Sequence, residues 1–176
     1  IYDLAVKSLD INNLTSRINL LNMDVNKLLD YYESDTFDIV VSNPPYFKYN
    51  ENSRINENTV KSIARHEINL KIDDLLIISR KILKNKGSLY LVHRTERFIE
   101  IISKLKKYNL EPKRIQFIYP KKDKPSNLFL IEAVKNGKSS LKIEFSLIVH
   151  NKDGNYSSKI VKMFGGNDVT KELWWK

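Results

Sequence analysis

The chain has 176 residues, 41% of them hydrophobic, with five glycines, five prolines and no cysteine. That supplies one real core and excludes a collagen-like or wholly disordered chain, disulfides and thiolate metal sites. No apolar run approaches the roughly 20 residues that span a bilayer, and no signal peptide is present, so the composition fits a cytosolic protein without a membrane partner. The formal net charge of +9 is uneven. Residues 1–60 hold 5 Lys/Arg and 9 Asp/Glu, whereas residues 61–176 hold 25 and 12. A basic half suggests a polyanion such as nucleic acid, although a Lys/Asn/Ile-rich proteome would also give it.

In chain order, Leu4, Ala5, Leu9 and Ile11 recur at helical spacing until Asn12-Asn13 ends the pattern. Arg17–Asn22 is a short apolar run ending at Asp24, followed by a short helix in "VNKLLDYY". "FDIVVS" (Phe37–Ser42) is apolar on both faces, as a buried parallel strand is. A polar, Asn-rich stretch from Lys48 to Glu57 reads as a loop. Next comes a helix with Ile72, Leu75, Leu76, Ser79, Ile82 and Leu83 on one face, expected to stop at Gly87. "SLYLVH" is a strand. Thr95 is placed to cap a helix that turns Phe98, Ile101, Ile102 and Leu105 inward. "RIQFIY", a basic loop "PKKDKPSN", "LFLIEAVK" and an extended "LKIEFSLIVH" follow, then a turn at "NKDGNYS"; Lys159–Lys176 fits no single element. Alternating helices and strands predict an α/β fold with a mostly parallel sheet, and consecutive strands near the end predict an antiparallel hairpin at the C-terminal edge.

"SNPPY" sits where ligands bind in such sheets, beyond the carboxyl end of a strand. Each proline fixes φ near −65° and lacks an N–H, and Pro44 pushes Asn43 out of the helical region. The stiff corner presents two acceptors, the Asn43 amide oxygen and the Pro44 carbonyl, with Pro45 bracing them and the Tyr46 ring just beyond. Two acceptors can hold both hydrogens of an –NH2 whose lone pair is otherwise delocalised, which favours the form able to attack a methyl carried on a sulfonium. Tyr46 can stack on a planar base taken out of its strand. A plain Pro-Pro turn with a self-capping Asn is the competing reading.

Asn-Pro-Pro-Tyr after a strand resembles the signature of S-adenosylmethionine-dependent methyltransferases that modify planar amino groups. "SNPPYFK", "ARHE" (Ala64–Glu67), "RIQFIYPKKDKPSNLFLIEAVKNGK" and "DGNYS" look like the bacterial family that methylates the adenosine beside the anticodon of valine tRNA, and this resemblance covers nearly the whole chain. It implies a Rossmann-like class I methyltransferase domain over residues 1–150 with a C-terminal tail over 151–176, S-adenosylmethionine as cofactor and tRNA as substrate. The family's glycine-rich loop and its acidic ribose-binding residue have no counterpart here. The glycines are Gly87, Gly137, Gly154, Gly165 and Gly166, and none ends an early strand. The resemblance therefore implies an N-terminally incomplete domain, short of two βα units of about 30 residues each. It makes the run before Asp24 the domain's third strand and gives Asp24, at its end, a contact to the cofactor adenine, alongside Asn43 and Pro44; Asp24 also reads as a helix cap, and both roles can hold together.

The same resemblance gives Arg65 and His66 a place near the substrate, against a reading as an ordinary helix start. Phe47 and Tyr49 flank the base or pack beneath the loop. Arg94, Arg97, Lys121, Lys122 and Lys124 are candidates for phosphate contacts. Lys104, Lys106 and Lys107 read as a solvated helix face, and His93 and His150 as structural. Three scattered histidines give no metal-ligand spacing. Methylation of DNA adenine or of a release-factor glutamine, and a non-catalytic basic RNA-binding module, stand as alternatives; the first two share the Asn-Pro-Pro-Tyr chemistry.

Overall fold

The computed structural model describes residues 1–44 and 70–165. Helix α1 (Tyr2–Ile11) forms where the apolar spacing placed it, and the chain leaves it through Asn13 at φ 55°. The run Arg17–Asn22 carries no regular secondary structure, a correction to the expected strand. A strand is held by a ladder of partner hydrogen bonds, and among the described residues this run has none. Asp24 then caps a 3-10 turn (Val25–Lys27) that leads into α2 (Leu28–Tyr31).

Five strands run in one direction and one runs against them. β1 (Phe37–Ser42) pairs in parallel with β2 (Leu83–Arg94), with Ser42 level with Leu91. β3 (Leu110–Lys121) and β4 (Leu128–Lys135) make the expected hairpin. Its second strand is the inner one: β4 lies antiparallel between β2 and β3. The extended stretch after it divides into β5 (Lys142–Ile143) and β6 (Leu147–His150), both parallel to β3 along its free edge.

Helices α3 (Ile72–Ile82) and α4 (Phe98–Lys107) cover one face of this sheet. Ile72, Leu75 and Leu76 of α3 and Ile101 and Leu105 of α4 join Leu89, Leu91, Ile115, Phe129, Ile131 and Ala133 in one buried cluster. Phe129 is the largest fully buried side chain, its ring edge-on to Phe98 with centroids 5.0 Å apart. α3 ends at Ile82, not at Gly87, because Leu83 is already extended and buried. Gly87 serves the strand instead: a Cβ there would lie 3.0 Å from the Asp38 carbonyl oxygen of β1. Thr95 does not cap α4 either, since its hydroxyl lies 3.2 Å from that of Ser126 and its N–H bonds Asn127. A short helix α5 (Ser158–Met163), capped by Ser157, follows β6.

The second face is open among the described residues. Ile39 and Val41 of β1 are 58% and 76% exposed, contrary to a strand buried on both sides. Two titratable groups nevertheless go inside, each with partners. Lys135 donates to the Leu83 carbonyl (2.6 Å) and pairs with Asp35 (2.8 Å). His93, 1% exposed, accepts the Arg94 N–H at Nδ1 (2.8 Å). Burial, helped by the Arg97 guanidinium, lowers its pKa from an ordinary 6.5 to about 4.

Two outcomes follow from this core. Phe129→Ala should cost about 3–5 kcal/mol in urea unfolding, because the hole it leaves is walled by sheet and helix; a loss under about 1 kcal/mol would contradict the packing described. His93 has a folded pKa below its unfolded one, so its contribution is present above pH 6.5 and is lost as pH falls toward about 4. Stability measured across that window should fall less steeply in His93→Gln than in the unsubstituted protein, and equal slopes would count against a buried neutral imidazole.

Candidate active site

The parallel register of β1 on β2 sets the site. Ser42 is level with Leu91, so the next residue, Asn43, emerges at the carboxyl edge of the sheet beside Val92. Asn43 is exposed and Pro44 is buried. The proline ring, with φ fixed and no N–H to satisfy, anchors the corner that holds the amide out. Beneath this edge lies a charged relay along α4. Arg97 grips Glu100 with two hydrogen bonds (3.0 and 2.8 Å), and its Nη1 lies 3.4 Å from His93 Nε2. Lys104 reaches Glu100 at 3.8 Å and binds Asp73, which also accepts from the Tyr108 hydroxyl (2.8 Å). The Lys104 bond, and then Tyr108, hold the Asp73 carboxyl below the usual carboxylate range. These partners fix the start of α4 below the corner.

The other strand ends bring cations to the same edge. Arg94 closes β2 and Lys121 closes β3, and Lys122 and Lys124 follow in the β3–β4 connection. That connection is tied down rather than left loose. Ser126 Oγ lies 2.9 Å from the carbonyls of Ile118 and Leu128, and Thr95 N–H donates to the Asn127 carbonyl at 3.1 Å. The ends of Arg94, Lys121 and Lys122 therefore lie along one rim with Asn43.

Below the rim, on the open face, is a cavity of about 530 Å³ lined by Ile39, Val41, Asn43, Tyr90, Val92 and Leu130 among others. Its polar part is a closed set. Glu132 accepts from the Tyr90 hydroxyl (2.9 Å) and Ser88 Oγ (3.3 Å) and forms an ion pair with Arg114. Burial first, and Glu132 second, push the Tyr90 phenol up, while Glu132 raises the Arg114 guanidinium. This cluster was missed from sequence; the outward alternation of Ser88, Tyr90 and Val92 against Leu130 and Glu132 was its available signal. The lining is otherwise mostly apolar and the size falls in the roughly 300–1,000 Å³ range of small-molecule sites, so the cavity suits a flat, largely apolar group with its polar edge at Asn43.

Asn43, Pro44, Arg94, Lys121 and Lys122 are thus brought to one edge. Asp24, exposed, caps the 3-10 turn before α2, with Oδ1 accepting from Asn26 N (2.9 Å) and Nδ2 (3.1 Å), so the capping reading holds. Pro45, Tyr46, Phe47, Tyr49, Arg65, His66 and the Trp174-Trp175 pair lie outside the described residues. Lys104 and Lys106 are engaged, with Asp73 and Glu111 respectively, and Lys107 sits over the Tyr108 ring. Among the described residues no group of three or more His, Cys, Asp or Glu could hold a metal, and no helix is long and apolar enough to cross a membrane.

Comparison with known proteins agrees with this layout. A curated relative from Aliivibrio salmonicida, named tRNA1(Val) (adenine(37)-N6)-methyltransferase, is 30% identical over 84% of this chain and 59% of its own. A protein of the same name from Parabacteroides distasonis is 36% identical over 57% of this chain and 41% of its own. The chain thus spans about half the length of the curated relatives it matches. In structure it superposes on a protein of Agrobacterium tumefaciens described as a predicted O-methyltransferase, with a TM-score of 0.71 at 20% identity over 95% of this chain and 73% of that one. The inner antiparallel strand and the mostly parallel remainder are therefore a Rossmann-like class I methyltransferase sheet. A family model described as Eco57I restriction-modification methylase matches residues 3–129, from α1 through the start of β4, and the chain belongs to that family.

Proposed function

We propose that the protein transfers a methyl group from S-adenosylmethionine to the N6 amine of an adenine in tRNA, at the adenosine beside the anticodon of valine tRNA. The observation that carries this is the Asn43-Pro44 corner, held by the β1–β2 register at the carboxyl edge of the sheet that also carries the cationic rim. The names of the curated relatives support the substrate, and the basic second half of the chain supports a polyanion. Such a reaction belongs in the cytoplasm, where tRNA is matured.

The residues present fit the reacting end of the cofactor better than its far end. Asn43 and Pro44 supply acceptors at the strand end, and Asp24 keeps an exposed carboxylate suited to a hydroxyl or amine. When bound, S-adenosylmethionine supplies a methyl on a positively charged sulfur, so no metal or general acid is needed. The adenine amine is a poor nucleophile because its lone pair is shared with the ring. Asn43 Oδ1 and the Pro44 carbonyl, each accepting one N6 hydrogen, localise that pair and orient it. Transfer would break the S–CH3 bond, leave the sulfur as a neutral thioether and make N6 cationic; one of the two N6 protons would then pass from its acceptor to bulk water as the product leaves, since neither Asn43 Oδ1 nor the Pro44 carbonyl is basic enough to keep it. Pro45 stiffens the corner, and Tyr46 and Phe47 stack the base. Arg65, His66, Arg94, Lys121 and Lys122 hold the RNA backbone. Residues 1–150 form the methyltransferase domain and 151–176 its tail.

The family model's description favours a second reading, methylation of DNA adenine. Labelled methyl transfer offered in parallel to unmodified tRNA, DNA and a release factor separates the substrates. We expect tRNA to be labelled, and Asn43→Ala to lower kcat by about 10²–10³, the cost of removing one preorganised partner of the reacting group. Preferential labelling of DNA would replace the tRNA reading, and undiminished transfer by Asn43→Ala would remove the role given to that amide.

A further inference from the structure

The sequence "HNKDGNYS" (150–157) builds a small fixed feature on the same edge, some distance from Asn43. β6 runs parallel to β3, and its last residue, His150, is level with Lys121. The chain then turns back on itself. Asn151 N–H donates to the Asn155 carbonyl (2.8 Å), and Gly154 takes φ 90° at the bend, where a side chain would meet nothing but would strain the backbone. Asp153 stiffens the turn by accepting from Asn155 N (3.2 Å) and Nδ2 (2.8 Å). Tyr156 returns antiparallel to His150, and the two rings stack with centroids 4.9 Å apart and planes 30° from parallel. Ser157 locks the return strand, with its N–H on the Val149 carbonyl (2.8 Å) and its hydroxyl on that of Ile148 (2.6 Å).

The result is an aromatic ring that is rigid and yet 59% exposed. One of its sides is backed by an imidazole, and the other faces solvent. Lys121 is level with His150 and its charge acts on the Asp153 carboxylate of the turn, and Lys122, Lys124 and Lys152 follow close by in the chain. A preorganised ring among cations is how single-stranded RNA is held without base pairing, because every base has a face to stack and each phosphate a cation to meet.

We propose that Tyr156, backed by His150, is a second base-stacking platform for the same RNA. It takes a base a few nucleotides from the adenine at Asn43, while Lys121 holds the phosphate between. Along the sheet, β1 and β6 are four strand spacings apart, so His150 lies about 19 Å from the Asn43 corner, and Tyr156 pairs one step farther out. This inference rests on the RNA-methyltransferase reading. It adds a contact that governs RNA affinity without touching the reacting amine.

The test is tRNA binding and methyl-transfer kinetics with the whole protein and unmodified tRNA, comparing Tyr156→Ala, Tyr156→Phe and Lys121→Gln. Tyr156→Ala should weaken binding and raise KM by roughly five- to hundredfold, the usual effect of losing one base–aromatic stack, while kcat holds. Tyr156→Phe should restore binding, because the ring does the stacking. The salt dependence of log K should keep its slope in Tyr156→Ala and become shallower by about one in Lys121→Gln, a separation that a merely structural defect would not produce. Tyr156→Ala binding tRNA as the unsubstituted protein does would overturn the platform alone. So would a loss in Tyr156→Phe equal to that in Tyr156→Ala. An unsubstituted protein that methylates DNA or protein and not tRNA would overturn the underlying reading.

Discussion

One strand that runs the wrong way organises this molecule. β4 lies between β2 and β3 and antiparallel to both, so β3 must return to the same direction as β1 and β2. The carboxyl ends of β1, β2, β3 and β6 therefore meet at a single edge. The Asn43 corner, Arg94, Lys121 and His150 each lie at the end of one of these strands. Had the hairpin folded outward, β3 would lie between β2 and β4 and would have no free edge for β5 and β6 to pair with. The inner placement of β4 leaves that edge open and sets the β3–β4 loop between the Asn43 corner and the β6 turn.

Energetics separate the two faces of the sheet. The helix-covered face holds the buried cluster, and the interior is close-packed enough that truncation there leaves a hole. Charges enter only with partners: Lys135 with Asp35 and the Leu83 carbonyl, and Glu132 with Arg114, Tyr90 and Ser88. Removing one member of such a set leaves an uncompensated buried charge, which costs more than the set itself contributes. The open face is different. It is apolar at Ile39, Val41 and Leu130 and polar around Glu132, Gln116 and Glu144, and it is continuous with the edge that carries Asn43. A flat group entering there meets apolar walls and a single polar rim, which is the arrangement a purine with one exocyclic amine fits.

Much of this was legible in the residues themselves. The α3 face from Ile72 to Ile82 and the alternation in β4 follow directly from helical and strand periods, because each element has one buried side. The corner at Asn43 was legible because proline chemistry acts locally. The failures share one cause, which is partners distant in sequence. Arg17–Asn22 has strand composition and no strand to pair with among the described residues. Ile39 and Val41 look like core and are exposed, since what covers a strand face is set by other elements. Gly87 looks like a helix stop, but its reason is the Asp38 carbonyl of the neighbouring strand. The Glu132 cluster exists only once the β2–β4 and β3–β4 registers bring Tyr90 and Arg114 to it.

The central claim is that the two acceptors at Asn43 and Pro44 activate an adenine amine of RNA. Its most direct measurement is the identity of the modified nucleoside. Unmodified tRNA is incubated with the protein and methyl-labelled S-adenosylmethionine, digested to nucleosides and separated. The account predicts that the label co-elutes with N6-methyladenosine and no other nucleoside. Label in a ring-nitrogen, ribose or carbon-methylated product would contradict it, because a pair of acceptors gripping an exocyclic –NH2 cannot activate those atoms.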